Sequence, residues 1–111
     1  MWTYRARLVR AIDGDTIEVL LDLGFDVTIT VAVRVAGVDT PELRGGTPAS
    51  RELGREAAAF TERWCGGQGD WPLTVVTSKD RSFARYVGAV GKGGDDLAGA
   101  LIADGHGIPS R

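Results

Sequence analysis

A run of alternating residues from Val27 to Val35 constrains the fold of this chain more than any other segment. Every second residue of the run is valine or isoleucine, and threonine, alanine and one arginine stand between them. Because the side chains of a β-strand alternate between its two faces, the apolar residues share one face. The pattern predicts a half-buried strand that displays Arg34 on the face opposite the valines.

Four further segments also have the pattern of strands. Residues 3–12 and 16–21 precede the long run and are joined by a turn at Asp13-Gly14-Asp15. Residues 73–77 and 86–90 follow it and are rich in valine. Alternation and β-branched composition are typical of strands, so the sequence predicts five strands in total.

Two helices are predicted from apolar spacing and from capping residues. Residues 51–64 carry an apolar stripe at spacings of three and four, which is typical of a helix lying on a core. Thr47 is suited to cap this helix, and Asp95 or Asp96 is suited to cap a second, short helix that ends at Gly105. The stripe consists of Leu53, Ala57, Phe60 and Trp64.

The order of these elements indicates a fold class. Three strands, a helix, two strands and a final short helix are expected of an α+β, mainly β domain built as a five-stranded Greek-key barrel of the oligonucleotide-binding (OB) type. The first helix then lies between strands 3 and 4, and the short helix is C-terminal. A length of 111 residues fits one such domain, over residues 1–111.

The charge balance excludes a protein that coats nucleic acid through overall positive charge. The formal net charge is -2, although an enzyme needs only a local positive field at its site. Cys65 is the single cysteine and cannot form an intramolecular disulfide. The first ten residues lack the apolar stretch of a signal peptide. We therefore expect a soluble, intracellular monomer that makes no contact with a membrane.

Two acidic turns carry the clearest signs of chemistry. The first is Asp13-Gly14-Asp15-Thr16, and the second, Asp39-Thr40-Pro41-Glu42, follows the long strand. If the first and third strands bring the turns together, four carboxylates share a small volume. Two like charges about 4 Å apart repel by roughly 4 kcal/mol at an effective dielectric of about 20, so such a cluster needs a cation. Oxygen ligands suit Ca²⁺ or Mg²⁺.

Two arginines complete the predicted site. Arg34 lies five residues before Asp39, and Arg85 stands at the start of the last strand. A guanidinium group binds two phosphate oxygens at once, which lysine cannot do. A cation and two arginines would neutralise the charge that develops on a phosphate during hydrolysis, while a carboxylate activates water. The pattern predicts metal-dependent cleavage of phosphodiester bonds.

In this order and spacing, the two turns and two arginines resemble the staphylococcal nuclease (thermonuclease) family, over about residues 4–107. The resemblance implies a Ca²⁺-dependent endonuclease that hydrolyses DNA and RNA with little sequence preference and leaves 3′-phosphate ends. It implies one Ca²⁺ ion, with Mg²⁺ supporting activity less well. The nucleic acid substrate is then the expected partner.

The resemblance also implies a role for each residue of the motif. Asp15 and Asp39 match the carboxylate ligands of the metal, and Thr40 matches the residue that adds a carbonyl ligand. Glu42 matches the carboxylate that acts as general base or orients the water. The remaining matches are Arg34 and Arg85 as the phosphate-binding arginines, and Asp13 as an acidic neighbour outside the metal's ligand set.

Two features depart from the family pattern. The chain stops at Arg111, so the family's long C-terminal helix and its tyrosines, which pack on the nucleotide, have no counterpart. Phe83 stands where a tyrosine often precedes the second arginine. We expect a weaker or different grip on the base and on a terminal phosphate.

Each feature by itself also has an ordinary explanation. Asp and Gly are common in turns, and Thr and Glu can cap a helix. The main alternative is a nucleic-acid-binding OB module that does not cleave, and the third is a structural domain whose acidic loops are merely solvated. Arg44 fits a solvated loop charge and a substrate contact equally well, while His106 is expected at the surface.

Overall fold

The computed structural model describes the backbone of residues 2–82 and 85–110, and the side chains of residues 2–77 and 86–110. Within those residues the chain forms eight strands and two helices. Their bounds in chain order are β1 (Trp2–Asp13), β2 (Thr16–Asp22), β3 (Thr28–Val35), β4 (Val38–Asp39), α1 (Pro48–Cys65), β5 (Leu73–Ser82), β6 (Arg85–Lys92), β7 (Asp95–Asp96), α2 (Leu97–Ala103) and β8 (Ile108–Pro109).

Five of the strands close into a barrel. β2 pairs with β1 and β3, β1 pairs with β5, and β5 pairs with β6, all in antiparallel fashion. The circle closes where β3 and β6 run parallel, with Arg34 opposite Val87. Closure pairs the backbone groups that an open sheet would leave at its edges. The predicted mainly β fold with a closed five-stranded barrel is confirmed.

The barrel is filled by β-branched and leucine side chains that solvent barely reaches. Burying each of them contributes roughly 1.5–3 kcal/mol relative to an exposed side chain. Two leucines of α2 lie in the same cluster, so that this short helix belongs to the core. The largest members are Ile17, Val19, Val33, Val35, Leu73, Val75, Val90, Leu97 and Leu101.

The long alternating run is buried only toward its C-terminal end. Val33 and Val35 are buried, but Val27 and Ile29 are 50% and 42% exposed. The pairing of β3 with β6 starts at Val33 among the described residues, whereas the pairing with β2 starts at Thr28. The first half of the strand therefore extends beyond the core, and the prediction of a uniformly half-buried strand is wrong there.

The first helix begins as predicted, and most of the predicted stripe packs on the barrel, because Ala57 is buried and Phe60 and Trp64 lie against the core. Thr47 caps it, because the Thr47 hydroxyl accepts from the backbone N–H of Ser50 at 3.1 Å and the Ser50 hydroxyl accepts from the N–H of Thr47 at 2.9 Å. Leu53 of the predicted stripe is 54% exposed. Small side chains let the helix approach the barrel closely, and the buried positions are Gly54, Ala57, Thr61 and Cys65.

Two short pairings place the segments around the barrel mouth. β4 pairs with β8, which sets Asp39 opposite Ile108, and β7 pairs with the end of β6. Strands of two residues show no alternation that a sequence pattern could reveal. α2 follows β7 directly and is capped by Asp96, whose carboxylate accepts from the N–H of Gly99 at 3.1 Å.

Within the described residues, neither helix combines the length and the apolar character needed to cross a membrane.

Candidate functional site

Asp15 joins the two acidic turns. It lies between β1 and β2, and only 12% of its side chain is exposed. Its Oδ2 accepts from the backbone N–H of Thr40 at 2.9 Å, and its Oδ1 accepts from the Thr16 hydroxyl at 3.2 Å. The structure thus brings together two segments that are 25 residues apart in the chain.

Arg34 is held at the end of β3 by both backbone and carboxylate oxygens. Its Nη1 donates to the carbonyls of Val35 and Val38, each at 2.8 Å. Its Nη2 contacts the carboxylate of Asp39 directly and lies 3.4 Å from Oδ2 of Asp15. The side chain is 23% exposed. Arg34 is therefore oriented by the protein and serves as counter-ion to both carboxylates.

Asp39 supplies the exposed side of this cluster. It ends β4, where its pairing with Ile108 of β8 fixes the backbone, and 52% of its side chain faces solvent. Asp15 and Asp39 converge on the same nitrogen of Arg34, so two hard oxygen ligands point toward one small region. That region opens into a cavity of about 590 Å³, whose lining includes Arg34, Asp39, Val87 and Ser110.

The other two acidic residues of the turns lie elsewhere. Asp13 accepts from the backbone N–H of Leu43 at 3.0 Å and so anchors the loop after β4. Glu42 is exposed, and the described residues give its side chain no hydrogen bond or ion pair. The sequence had suggested four carboxylates in one small volume, whereas the structure brings together only Asp15 and Asp39.

The described side chains contain no group of three or more histidine, cysteine, aspartate or glutamate residues placed to hold a metal ion. The predicted ligands do not form such a group, because only two of them, Asp15 and Asp39, are carboxylates. The third is the backbone carbonyl of Thr40. Any cation bound there would complete its coordination with water oxygens.

Glu42 is positioned by helix α1 rather than by Asp15, Arg34 or Asp39. A Cβ atom added at Gly54 would lie 2.7 Å from the carbonyl carbon of Glu42, which shows how closely the helix approaches the loop. The Glu42 side chain lines a second cavity, of about 540 Å³, together with Arg10, Asp13 and Arg44. Residues 39–44 thus form a ridge, with Asp39 toward one cavity and Glu42 toward the other.

The second predicted arginine, Arg85, has its side chain outside the described part of the structure. Its backbone begins β6, and the two residues that follow, Tyr86 and Val87, are paired with Val33 and Arg34 of β3. Arg85 therefore directly precedes the residues of β6 that pair with Val33 and Arg34. The role of Arg85 stays a prediction.

Several residues near the site are not evident from the sequence. Thr61 of α1 donates its hydroxyl hydrogen to the carbonyl of Gly14 at 2.6 Å and thereby supports the first acidic turn. His106 lines a cavity beside Asp39 and Thr40, and only 20% of its side chain is exposed. His106 is therefore more enclosed than is expected of a surface residue. These contacts span long sequence separations, which local patterns do not reveal.

Compared with protein-family models and with curated proteins, the sequence matches none of them. The function is therefore inferred from the site itself.

Proposed function

We propose that this protein is a nuclease that hydrolyses phosphodiester bonds of DNA or RNA with the help of a bound Ca²⁺ ion. The observation that carries the proposal is the convergence of Asp15 and Asp39 on Arg34, beside an open cavity. Carboxylates and an oriented guanidinium in one place are suited to a cation and a phosphate together. On this proposal the barrel is of the Greek-key OB type, with α1 between its third and fourth strands, and it acts as a monomer.

The donor atoms fit Ca²⁺ in their chemistry. Asp15 and Asp39 would hold the ion together with the carbonyl of Thr40, whose backbone is already fixed by its hydrogen bond to Asp15. An irregular set of carboxylate, carbonyl and water oxygens suits Ca²⁺ better than Mg²⁺, which requires nearly ideal octahedral geometry. When bound, the ion would supply Lewis-acid stabilisation of the charge on phosphate oxygens.

Arg34 would bind the scissile phosphate. Its Nη1 is fixed by two backbone carbonyls, so the plane of the guanidinium is set before substrate arrives. Its Nη2 contacts Asp39, which is half exposed, and a phosphate oxygen would replace that carboxylate as acceptor. Preorganised donors of this kind stabilise developing negative charge without reorganisation. Arg85 is the second phosphate-binding residue of the proposal.

Glu42 would act on the attacking water as general base or orienting group. Its carboxylate is exposed and carries no ion pair among the described side chains, so it is free to accept a proton or a hydrogen bond. Its backbone is held against α1 at Gly54. The water would lie over the ridge formed by residues 39–44, between Glu42 and the phosphate at Arg34.

Replacement of Glu42 tests its role in turnover. Glu42→Gln should lower kcat by roughly 10²-fold or more, because a positioned acid–base group contributes about that much. Since the side chain is exposed, the variant should keep the unfolding temperature of the original protein. Near-normal turnover in a folded Glu42→Gln variant would remove Glu42 from the mechanism.

One observation favours the alternative of a nucleic-acid-binding module without activity. Glu42 lines a different cavity from Arg34 and Asp39, so the proposed base and the phosphate site are not enclosed together. A binding module would retain affinity for nucleic acid but release no product.

Cleavage assays separate the two functions. The purified protein would be incubated with single-stranded DNA, duplex DNA and RNA in Ca²⁺, and the ends of any products analysed. The nuclease proposal predicts shortened products that carry 3′-phosphates. Binding of the same nucleic acids without any product would contradict it and support the module.

A further inference from the structure

The cavity on the Glu42 side of the ridge has two arginines in its lining. Arg10 comes from the last part of β1, and Arg44 comes from the loop after β4. The cavity holds about 540 Å³ and is open to solvent. Asp13, Glu42 and short stretches of backbone form the rest of its lining. It is therefore a polar cavity that directly adjoins the proposed catalytic carboxylate.

The walls of this cavity are fixed by contacts from three elements. The N–H of Leu43 donates to Asp13 at 3.0 Å, and the N–H of Ala11 donates to Glu62 of α1 at 3.3 Å. The loop also lies against α1 at Gly54. Backbone on both sides of the cavity is thus tied to the barrel or to the helix, and the arginine side chains project from fixed positions.

The charges of the two arginines are not matched by strong ion pairs. Arg10 lies 3.6 Å from Glu18, and its side chain is 59% exposed, so this pair contributes little. Arg44 is exposed and has neither an ion pair nor a side-chain hydrogen bond among the described residues. Asp13 is already engaged by the N–H of Leu43. The cavity therefore has in its lining one arginine without a partner among the described residues, Arg44, and one that is only weakly paired, Arg10.

We propose that this cavity is a second phosphate subsite, in which Arg44, assisted by Arg10, binds the phosphate next to the scissile one. The inference rests on the proposed nuclease function. A strand whose scissile phosphate lies at Arg34 must cross the ridge of residues 39–44 to bring its reacting bond within reach of Glu42. The neighbouring phosphate of that strand then falls on the Arg44 side. A guanidinium can bind it through two oxygens at once.

Kinetics on substrates of two lengths test the subsite. A dinucleoside monophosphate has one scissile phosphate and no neighbour, whereas a short oligothymidylate has neighbours on both sides. Arg44→Ala should raise KM for the oligothymidylate about tenfold and leave its kcat unchanged. The loss of a hydrogen bond to a charged group typically weakens binding by about that factor. The same variant should cleave the dinucleoside monophosphate at the original rate. Arg44→Lys should recover part of the loss.

Arg63→Ala is the matched control. Arg63 is also exposed and without a side-chain partner among the described residues, but it lies on the opposite side of α1 from Gly54. This variant should resemble the original protein on both substrates. An Arg44→Ala variant with unchanged KM for the oligothymidylate would overturn the subsite, and so would an equal loss on both substrates.

A binding measurement keeps the subsite testable even if no substrate is cleaved. The affinity for labelled oligothymidylate would be followed by fluorescence anisotropy over a range of salt concentrations. Loss of one single-strand phosphate contact should reduce the slope of log affinity against log salt by about 0.7 in Arg44→Ala. An unchanged slope would overturn the subsite, whereas absence of cleavage by the original protein would count against the nuclease function alone.

Discussion

Thr40 contributes to the site through its backbone, while its side chain is poorly satisfied. Its N–H donates to Asp15, and its carbonyl is the proposed metal ligand. Its hydroxyl is buried and has no hydrogen-bond partner among the described residues. A buried hydroxyl without a partner destabilises the folded state, because it has lost its hydrogen bonds to water.

Substituting Thr40 by valine should therefore stabilise the protein. Thr40→Val removes the unsatisfied hydroxyl and keeps the branched shape, so the free energy of unfolding should rise by about 1 kcal/mol. The matched control is Thr61→Val, which removes a hydroxyl that donates to Gly14 at 2.6 Å and should lower the free energy of unfolding by about 1–2 kcal/mol. Urea unfolding measures both. A loss of stability in Thr40→Val as large as that in Thr61→Val would show that the hydroxyl is satisfied.

The thiol of Cys65 should be inert in the folded protein. Burial raises its pKa from 9.0 to about 12, so the reactive thiolate is scarce at pH 8. Because the folded pKa is raised, its contribution to stability is complete below pH 9 and is lost as the pH rises through about 12. Cys65 is the single cysteine, so alkylation by iodoacetamide reports on it alone. If iodoacetamide labelled Cys65 as fast in buffer as in urea, the result would contradict the burial of the thiol in the folded protein.

At the residue scale, the sequence predicts pairs that are local and misses those that are not. Arg34 and Asp39 are only five residues apart in the sequence, so their side chains can meet where β3 ends. The hydrogen bond between Asp15 and Thr40 follows from the expected meeting of two turns. No local pattern relates Arg10 to Arg44, because their proximity depends on how the loop after β4 folds back toward β1.

At the scale of elements, α1 positions the loop that carries Glu42. Its buried face consists of small residues, and the tightest approach is at Gly54. Apolar periodicity predicts the helix and its cap at Thr47, but it selects Leu53 as a core residue. Glycine and threonine score weakly as apolar, so the pattern misses Gly54 and Thr61, although it includes Ala57.

Gly54→Ala should destabilise the protein although alanine is a better helix former. The added methyl group would meet the backbone of Glu42, at 2.7 Å from its carbonyl carbon, so the helix or the loop must move. We expect the free energy of unfolding to fall by about 1–3 kcal/mol and the cleavage rate to fall with it. In the control Gly99→Ala of α2, the nearest atom lies at 3.8 Å, and the stability should rise by roughly 0.5–1 kcal/mol. Equal stabilisation by both substitutions would show that the loop does not lie against Gly54.

At the scale of the whole molecule, the pairing of β2 with β1 and β3 brings the two acidic turns to one end of the sheet. Residues 13–16 lie where β1 turns into β2, and residues 39–42 come after β3, so the pairing of these strands sets the turns side by side. The order of strands favours a closed barrel but does not by itself fix the fold. The extension of β3 beyond the core was not predictable, because alternation continues through Val27 whether or not a second strand covers that end.

With an overall charge of -2, the proposed affinity for nucleic acid would depend on a few local contacts. Arg34 and Arg44 line different cavities and would provide such contacts, together with Arg10, which lines the same cavity as Arg44. We propose that Asp15 and Asp39, which are paired with Arg34 in the structure, form a cation site on which cleavage depends.

The most direct test measures the cleavage rate of a single-stranded oligonucleotide as a function of Ca²⁺ concentration, for the original protein and for Asp39→Asn. We expect a rate that saturates with Ca²⁺ and disappears in excess chelator. Because Asp39→Asn lowers the charge of the ligand set, half-saturation should then require on the order of tenfold more Ca²⁺. Cleavage that persists in chelator, or an identical Ca²⁺ dependence in the two proteins, would contradict it.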